Sequence, residues 1–101
     1  MAAGLILEFE GVTVEHYNAV NDILGIDMKT GKGDWPDGLV SHSAGLNEDG
    51  EFVVMEVWDT PEHQARFMEG RLADALVKAG ITGGPSSITW IELEAHHTPG
   101  A

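Results

Sequence analysis

The stretch Glu51-Phe52-Val53-Val54-Met55-Glu56-Val57-Trp58-Asp59-Thr60-Pro61-Glu62-His63 decides the architecture. Five of its first eight residues are valine or aromatic, so they read as a strand. The strand is apolar on both sides, with Phe52, Val54 and Trp58 on one face and Val53, Met55 and Val57 on the other. Thr60-Pro61-Glu62 then starts a helix: threonine caps it, proline suits its first position, and the acid complements the positive end of the helix dipole. Upstream, Asn47-Glu48-Asp49-Gly50 is a hairpin turn, so Leu39 to Gly45 forms a second strand antiparallel to the first.

Downstream, Ala65, Met68, Leu72, Ala75, Leu76 and Ala79 make the predicted buried stripe of the helix. Gly70 interrupts it and Gly80 closes it. After Gly83-Gly84-Pro85, residues Ile88 to Ala95 alternate as a last strand, and His96 to Ala101 is a loose end. Towards the amino terminus, residues 4 to 10 alternate as a first strand. Thr13 caps a helix carrying Val14, Tyr17, Val20, Asn21 and Leu24 at helical spacing, and Gly25 stops it. Residues 26 to 38 hold three glycines, a proline and alternating charges, which predicts one long loop of functional interest. The order is strand, helix, strand, strand, helix, strand: an α+β, ferredoxin-like βαββαβ domain over residues 1–101, with a four-stranded antiparallel sheet and both helices on one face. A sheet apolar on both sides and covered on one implies a second sheet from another copy of the chain, a homodimer.

The chain of 101 residues carries 17 acidic against 5 basic residues, a formal charge of -12. The acids are scattered from Glu8 to Glu94, so the surface field opposes phosphate backbones and anionic headgroups. Nucleic acid and membrane are poor partners on that ground, and neutral or cationic small molecules remain. There is no cysteine, which removes thiolate catalysis, disulfides and zinc-thiolate sites. No amino-terminal secretion signal and no run of eighteen apolar residues is present, so a cytoplasmic protein is expected. No phosphate loop, serine elbow or helical histidine pair occurs, and the five histidines lack metal-ligand spacing, so no metal is expected.

Gly38-Leu39 with His42 and Ala44, then Val53 to Trp58 through Asp59-Thr60-Pro61-Glu62 into Phe67, with Leu72 and Leu76, resemble the dimeric α/β-barrel superfamily, within it the antibiotic-biosynthesis-monooxygenase-like domains. The resemblance covers almost the whole chain and implies two sheets closing into a shared barrel, with a ligand cavity between sheet and helices in each subunit. The haem-degrading branch uses an asparagine on the first strand and a tryptophan and a histidine on the second helix. This chain offers Glu8, Phe67 and Val77 in that region, so haem degradation is not implied. The quinone-forming oxygenases of the superfamily use asparagine, tryptophan and tyrosine in a cavity and need no metal or flavin. Trp58, Trp90 and Tyr17 supply similar residue types, without a position-by-position match. No cofactor is expected on this reading.

Two ionisable groups stand inside strands. His42 lies between Val40 and Ala44, where a neutral imidazole would serve as a general base near pH 7. Glu56 lies between Val54 and Trp58, on the partner strand of the hairpin. The alternative for His42 is a histidine satisfied by a backbone or carboxylate partner or facing solvent at an edge, and for Glu56 an exposed or dimer-interface carboxylate paired with Arg66 or Arg71. Tyr17, Trp35, Trp58, Phe67 and Trp90 are the expected pocket residues, with Trp35 on a lid formed by the long loop. The two functions that follow are a cofactor-independent monooxygenase or isomerase acting on a hydrophobic aromatic metabolite, and a non-catalytic protein that only binds a metabolite or dimerises.

Overall fold

A computed structural model describes residues 2–100. The first strand, β1, runs Ala3–Phe9, and helix α1 runs Val14–Leu24. Thr13 caps α1 through its hydroxyl, which accepts from the His16 amide, while His16 Nδ1 accepts from the Thr13 amide at 3.1 Å. Histidine thus stands in for the glutamate of a capping box. Gly25 ends the helix in the left-handed region at φ 80°, where glycine has no side-chain penalty.

The segment predicted as one loop carries its own two-stranded ladder, β2 at Ile26–Asp27 and β3 at Lys32–Gly33. The Asp27 carboxylate accepts from the Lys29 amide at 2.9 Å and the Asp27 carbonyl from the Gly31 amide at 2.8 Å. A turn held by side-chain and backbone bonds leaves no apolar alternation to read.

Strands β4 (Leu39–Leu46) and β5 (Phe52–Trp58) form the hairpin, and β6 (Ser87–Glu92) closes the sheet, whose order is β4-β5-β1-β6 with every pairing antiparallel. The last strand stops three residues short of the predicted Ala95. Glu92 pairs with Ala3, the first residue of β1, and beyond it the Leu93 amide makes one long bond, 3.4 Å, to the Ala2 carbonyl.

The second helix starts as expected, capped by Thr60 with Pro61 in the first turn, and runs as α2 (Pro61–Phe67), a π turn (Met68–Leu72) and α3 (Ala73–Lys78). The predicted interruption at Gly70 is this π turn. A π turn takes up one extra residue, so the buried face on its amino-terminal side moves back by one: Gln64 is buried and Ala65, expected in the stripe, is exposed. Ala75 lies at the buried centre of the remaining stripe.

Both helices cover one face of the sheet. Leu5, Leu7, Phe9, Phe52, Val54 and Trp58 form the core on the sheet side, and Val20, Leu24, Ile26 and Ala75 form a second cluster between the helices. Val14, expected on the inner side of α1, is half exposed at the helix start. The far face presents Ile6, Val53, Val57, Met55 and Ile91; Met55 is 52% exposed and Ile91 43%. Among the described residues, no helix is long and apolar enough to cross a membrane.

Candidate functional site

A cavity separates the two core clusters. Its walls are Leu7, Phe9, Val54 and Phe52 from the sheet, Tyr17, Val20 and Leu24 from α1, Phe67, Leu72 and Leu76 from the second helix, and Trp35 and Pro36 from the loop before β4. The space that the centre of a water molecule can occupy inside it is about 80 Å3, enough for several waters at roughly 10–15 Å3 each. Among the described residues no lysine or arginine lines it.

At one end the apolar wall is broken by a chain of hydrogen bonds. Tyr17 donates its hydroxyl to His42 Nε2, His42 Nδ1 meets Glu56 Oε2 at 2.8 Å, and Trp58 Nε1–H donates to Glu56 Oε1 at 3.1 Å. The Glu56 side chain is 9% exposed and that of His42 12%. For a neutral imidazole the connectivity assigns the protons. Trp58 can only donate, so Glu56 accepts on Oε1; acting as carboxylate it also accepts on Oε2, which places the imidazole proton on Nδ1 and leaves Nε2 as acceptor. Burial pushes the Tyr17 phenol above its usual 10.0, the Asn21 side chain opposes this, and the Glu56 carboxylate adds to it. An anion on Tyr17 would face a carboxylate two links away in a poorly solvated site.

Local backbone irregularity points His42 inward. Leu39 pairs with Trp58, Ser41 pairs with Val57, and Val40 between them is the extra residue of a β-bulge. Strict alternation from the inward-facing Leu39 would turn His42 to the far face; the extra residue inverts the phase and sets His42 opposite Glu56. Glu56 needs no such device, since it alternates regularly with Val54 and Trp58 on the helix side.

The loop before β4 closes the cavity. Trp35 stands over the site, its ring centre 5.5 Å from that of His42, and its indole donates to the Gly31 carbonyl at 2.9 Å. Arg71 ties this loop to both helices: one guanidinium nitrogen donates to the carbonyls of Leu24 at 3.0 Å and Asp34 at 2.6 Å and lies 3.2 Å from the Asp34 carboxylate, while the guanidinium sits 5.7 Å above the Phe67 ring. At the loop's other end the Gly38 carbonyl accepts from the Asp59 amide at 2.8 Å. A side chain at Gly38, φ 84°, would place Cβ 2.5 Å from the Asp59 carboxylate and from His63, which itself pairs with Asp59 at 2.7 Å.

No family model matches the chain, and no curated protein matches it in sequence. Solved structures do match its shape. A candidate antibiotic biosynthesis monooxygenase from Chloroflexus aurantiacus superposes with a TM-score of 0.65 at 15% identity, covering 97% of this chain and 98% of the other. Another, from Deinococcus radiodurans, gives 0.54 at 18% identity, covering 97% of each chain. The chain has the antibiotic-biosynthesis-monooxygenase-like fold. A variant of SnoaB, described as a cofactor-independent oxygenase from Streptomyces nogalater, shares that fold with a TM-score of 0.57 at 10% identity, covering 94% of this chain and 93% of the other.

Within this monooxygenase-like fold, Tyr17, Trp35, His42, Glu56 and Phe67 converge on the cavity. Two expected wall residues do not. Trp58 is fully buried behind Glu56, packed on Phe67 with ring centres 6.0 Å apart, and reaches the site only through its indole N–H. Trp90 sits opposite Leu5 on the edge strand β6, 42% exposed, and no β6 residue lines the cavity. The helices cover β4, β5 and β1, so a tryptophan on the far edge cannot reach. Nor does Glu56 pair with Arg66 or Arg71, since its two oxygens meet His42 and Trp58. Asn21 and Pro36 line the cavity without being expected there, and Arg71, expected only as a partner of Glu56, instead anchors the loop. An amide on the buried stripe of α1 is the signal that marks Asn21.

Proposed function

We propose that this chain binds a neutral, hydrophobic aromatic molecule and acts on it as a cofactor-independent oxygenase or isomerase, with His42 as general base, in a homodimer joined through the uncovered sheet face. The observation that carries the reading is the buried Tyr17–His42–Glu56 chain at the end of an otherwise apolar cavity. His42 Nε2 would take a proton from the substrate, and the Glu56 carboxylate would stabilise the imidazolium through Nδ1–H, as the third member of a triad does. The resulting electron-rich anion can be reprotonated at another carbon, an isomerisation. It can also react with dioxygen, where a CH2 group becomes C=O and the second oxygen leaves as water, with no external reductant needed. The described function of the Streptomyces nogalater oxygenase supports the second route. Met55 and Ile91, exposed on the far face, support the homodimer.

A thermal-shift screen of the purified protein against planar aromatic metabolites tests binding, because a ligand of the native state raises its melting temperature. Oxygen uptake or isomer formation with the responding compound then tests the chemistry. His42→Ala should lower turnover by roughly 10²–10⁴-fold with the oligomeric state unchanged; retained turnover would remove His42 from the mechanism. One observation favours a binding-only protein: Tyr17 already occupies the lone pair a base would use.

A further inference from the structure

The polar end of the cavity has a definite demand. Both Glu56 oxygens accept, from His42 and from Trp58, so the carboxylate has no hydrogen-bond donor to share and its charge lies directly behind the imidazole. In the neutral imidazole His42 Nε2 is then an acceptor, and the group seated on it is the protein's own phenol. Among the described residues no lysine or arginine lines the cavity to balance an incoming anion, and the chain carries a formal charge of -12. Arg71 is not among the lining residues, and its charge is already paired with the Asp34 carboxylate at 3.2 Å.

From these observations we infer that Tyr17 is a place-holder for the ligand, and that the site takes neutral weak acids bearing an O–H or N–H on an aromatic body, whose donor displaces the Tyr17 hydroxyl from His42 Nε2, while carboxylates and phosphates are excluded. The inference rests on the cavity being the ligand site, as proposed above. A displaced Tyr17 hydroxyl has a second neighbour: Met28 Sδ lies 4.0 Å away. The exchange is of like for like, one neutral donor for another on the same lone pair, so it costs little beyond moving one side chain. Loading the ligand in this way also delivers its acidic proton to the base, which reconciles an occupied lone pair with catalysis.

The test is calorimetric titration of the full chain at pH 8 with three probes of one size: 1-naphthol, 1-methoxynaphthalene and 1-naphthoate. Naphthol, a neutral donor, is expected to bind about tenfold more tightly than its methyl ether, as one hydrogen bond in a dry site provides, and naphthoate is expected to show no binding. Tyr17→Phe should strengthen naphthol binding by roughly two- to tenfold through loss of the competitor and leave the ether unchanged. Equal affinity for naphthol and its ether, or weaker naphthol binding by Tyr17→Phe, overturns the inference while keeping the cavity as a ligand site. Binding of naphthoate as tight as naphthol also overturns it. Silence from all three overturns the cavity reading itself and this inference with it. Should Tyr17→Phe not fold, the Raman doublet of tyrosine gives the same answer in the unaltered protein, since the chain has 1 tyrosine. Saturation with naphthol should weaken the hydrogen-bond donation it reports, and an unchanged doublet refutes displacement.

Discussion

Replacing Trp58 by phenylalanine separates what that residue does as a packing block from what it does as a donor. The indole is wholly buried, packs on Phe67, and gives its N–H to Glu56 at 3.1 Å. Phenylalanine keeps a flat apolar body but loses the N–H and part of the volume. Losing a hydrogen bond to a charged group costs about 1.5–3 kcal/mol. The smaller ring leaves a partial cavity worth about 1–2 kcal/mol. The single variant should thus lose about 2.5–5 kcal/mol, a large share of the roughly 5–15 kcal/mol that holds a typical domain folded. Glu56→Leu removes the acceptor at similar size, so in that background Trp58→Phe should cost only the packing part. Urea unfolding followed by far-UV circular dichroism, at one protein concentration and with the slope checked for constancy, measures all four corners of the cycle. A coupling of about 1.5–3 kcal/mol is expected from the charged bond. A coupling below about 0.5 kcal/mol, the scatter of independent sites, would refute Trp58 as the residue that holds Glu56 for His42.

Tyr17, the 1 tyrosine of the chain, should titrate at a midpoint above 10.0 when followed by tyrosinate absorbance, since burial raises it; a midpoint at or below that value contradicts the buried placement. Because the folded value is raised, its contribution to stability is fully present below pH 10.0 and is lost as pH rises through the folded value; Tyr17→Phe should flatten that alkaline decline in melting temperature. Gly38→Ala should destabilise more than Gly50→Ala: both glycines have positive φ, at 84° and 77°, but only at Gly38 does Cβ meet Asp59 and His63. Left-handed backbone alone costs about 1–2 kcal/mol, and equal melting temperatures for the two variants would remove the clash from the account. Sedimentation at micromolar concentration is expected to show a dimer, and Met55→Glu on the far face should dissociate it; a stable monomer in the unaltered protein refutes the homodimer.

Much of the fold was legible because its signals are local. Thr60-Pro61-Glu62 starts a helix by the chemistry of three side chains, Gly25 ends one by its freedom at positive φ, and the Asn47 to Gly50 turn forces two strands into a hairpin. That hairpin also put His42 and Glu56 on adjacent strands, so their pairing was available as an expectation. The limits came where one residue changes the phase of many. The π turn at Met68–Leu72 exchanged Ala65 for Gln64 on the buried face, and a periodicity argument cannot anticipate an inserted residue.

The tryptophans mark the boundary most plainly. As side chains near strand ends they were equivalent in sequence, and sheet order alone separated them: β5 is an inner strand under the helices, so Trp58 is buried behind Glu56, while β6 is an edge, so Trp90 is left partly in solvent. The order of the four sheet strands and two helices, the antiparallel hairpin and an acidic chain without cysteine all follow from residue chemistry and spacing over a few positions in the sequence. The inward turn of His42 depends instead on long-range strand pairing. Val40 is one residue too many for the ladder, and the bulge it makes turns His42 from the far face to the near one. A strand whose pattern repeats every two residues holds no record of where its partner will leave a residue out.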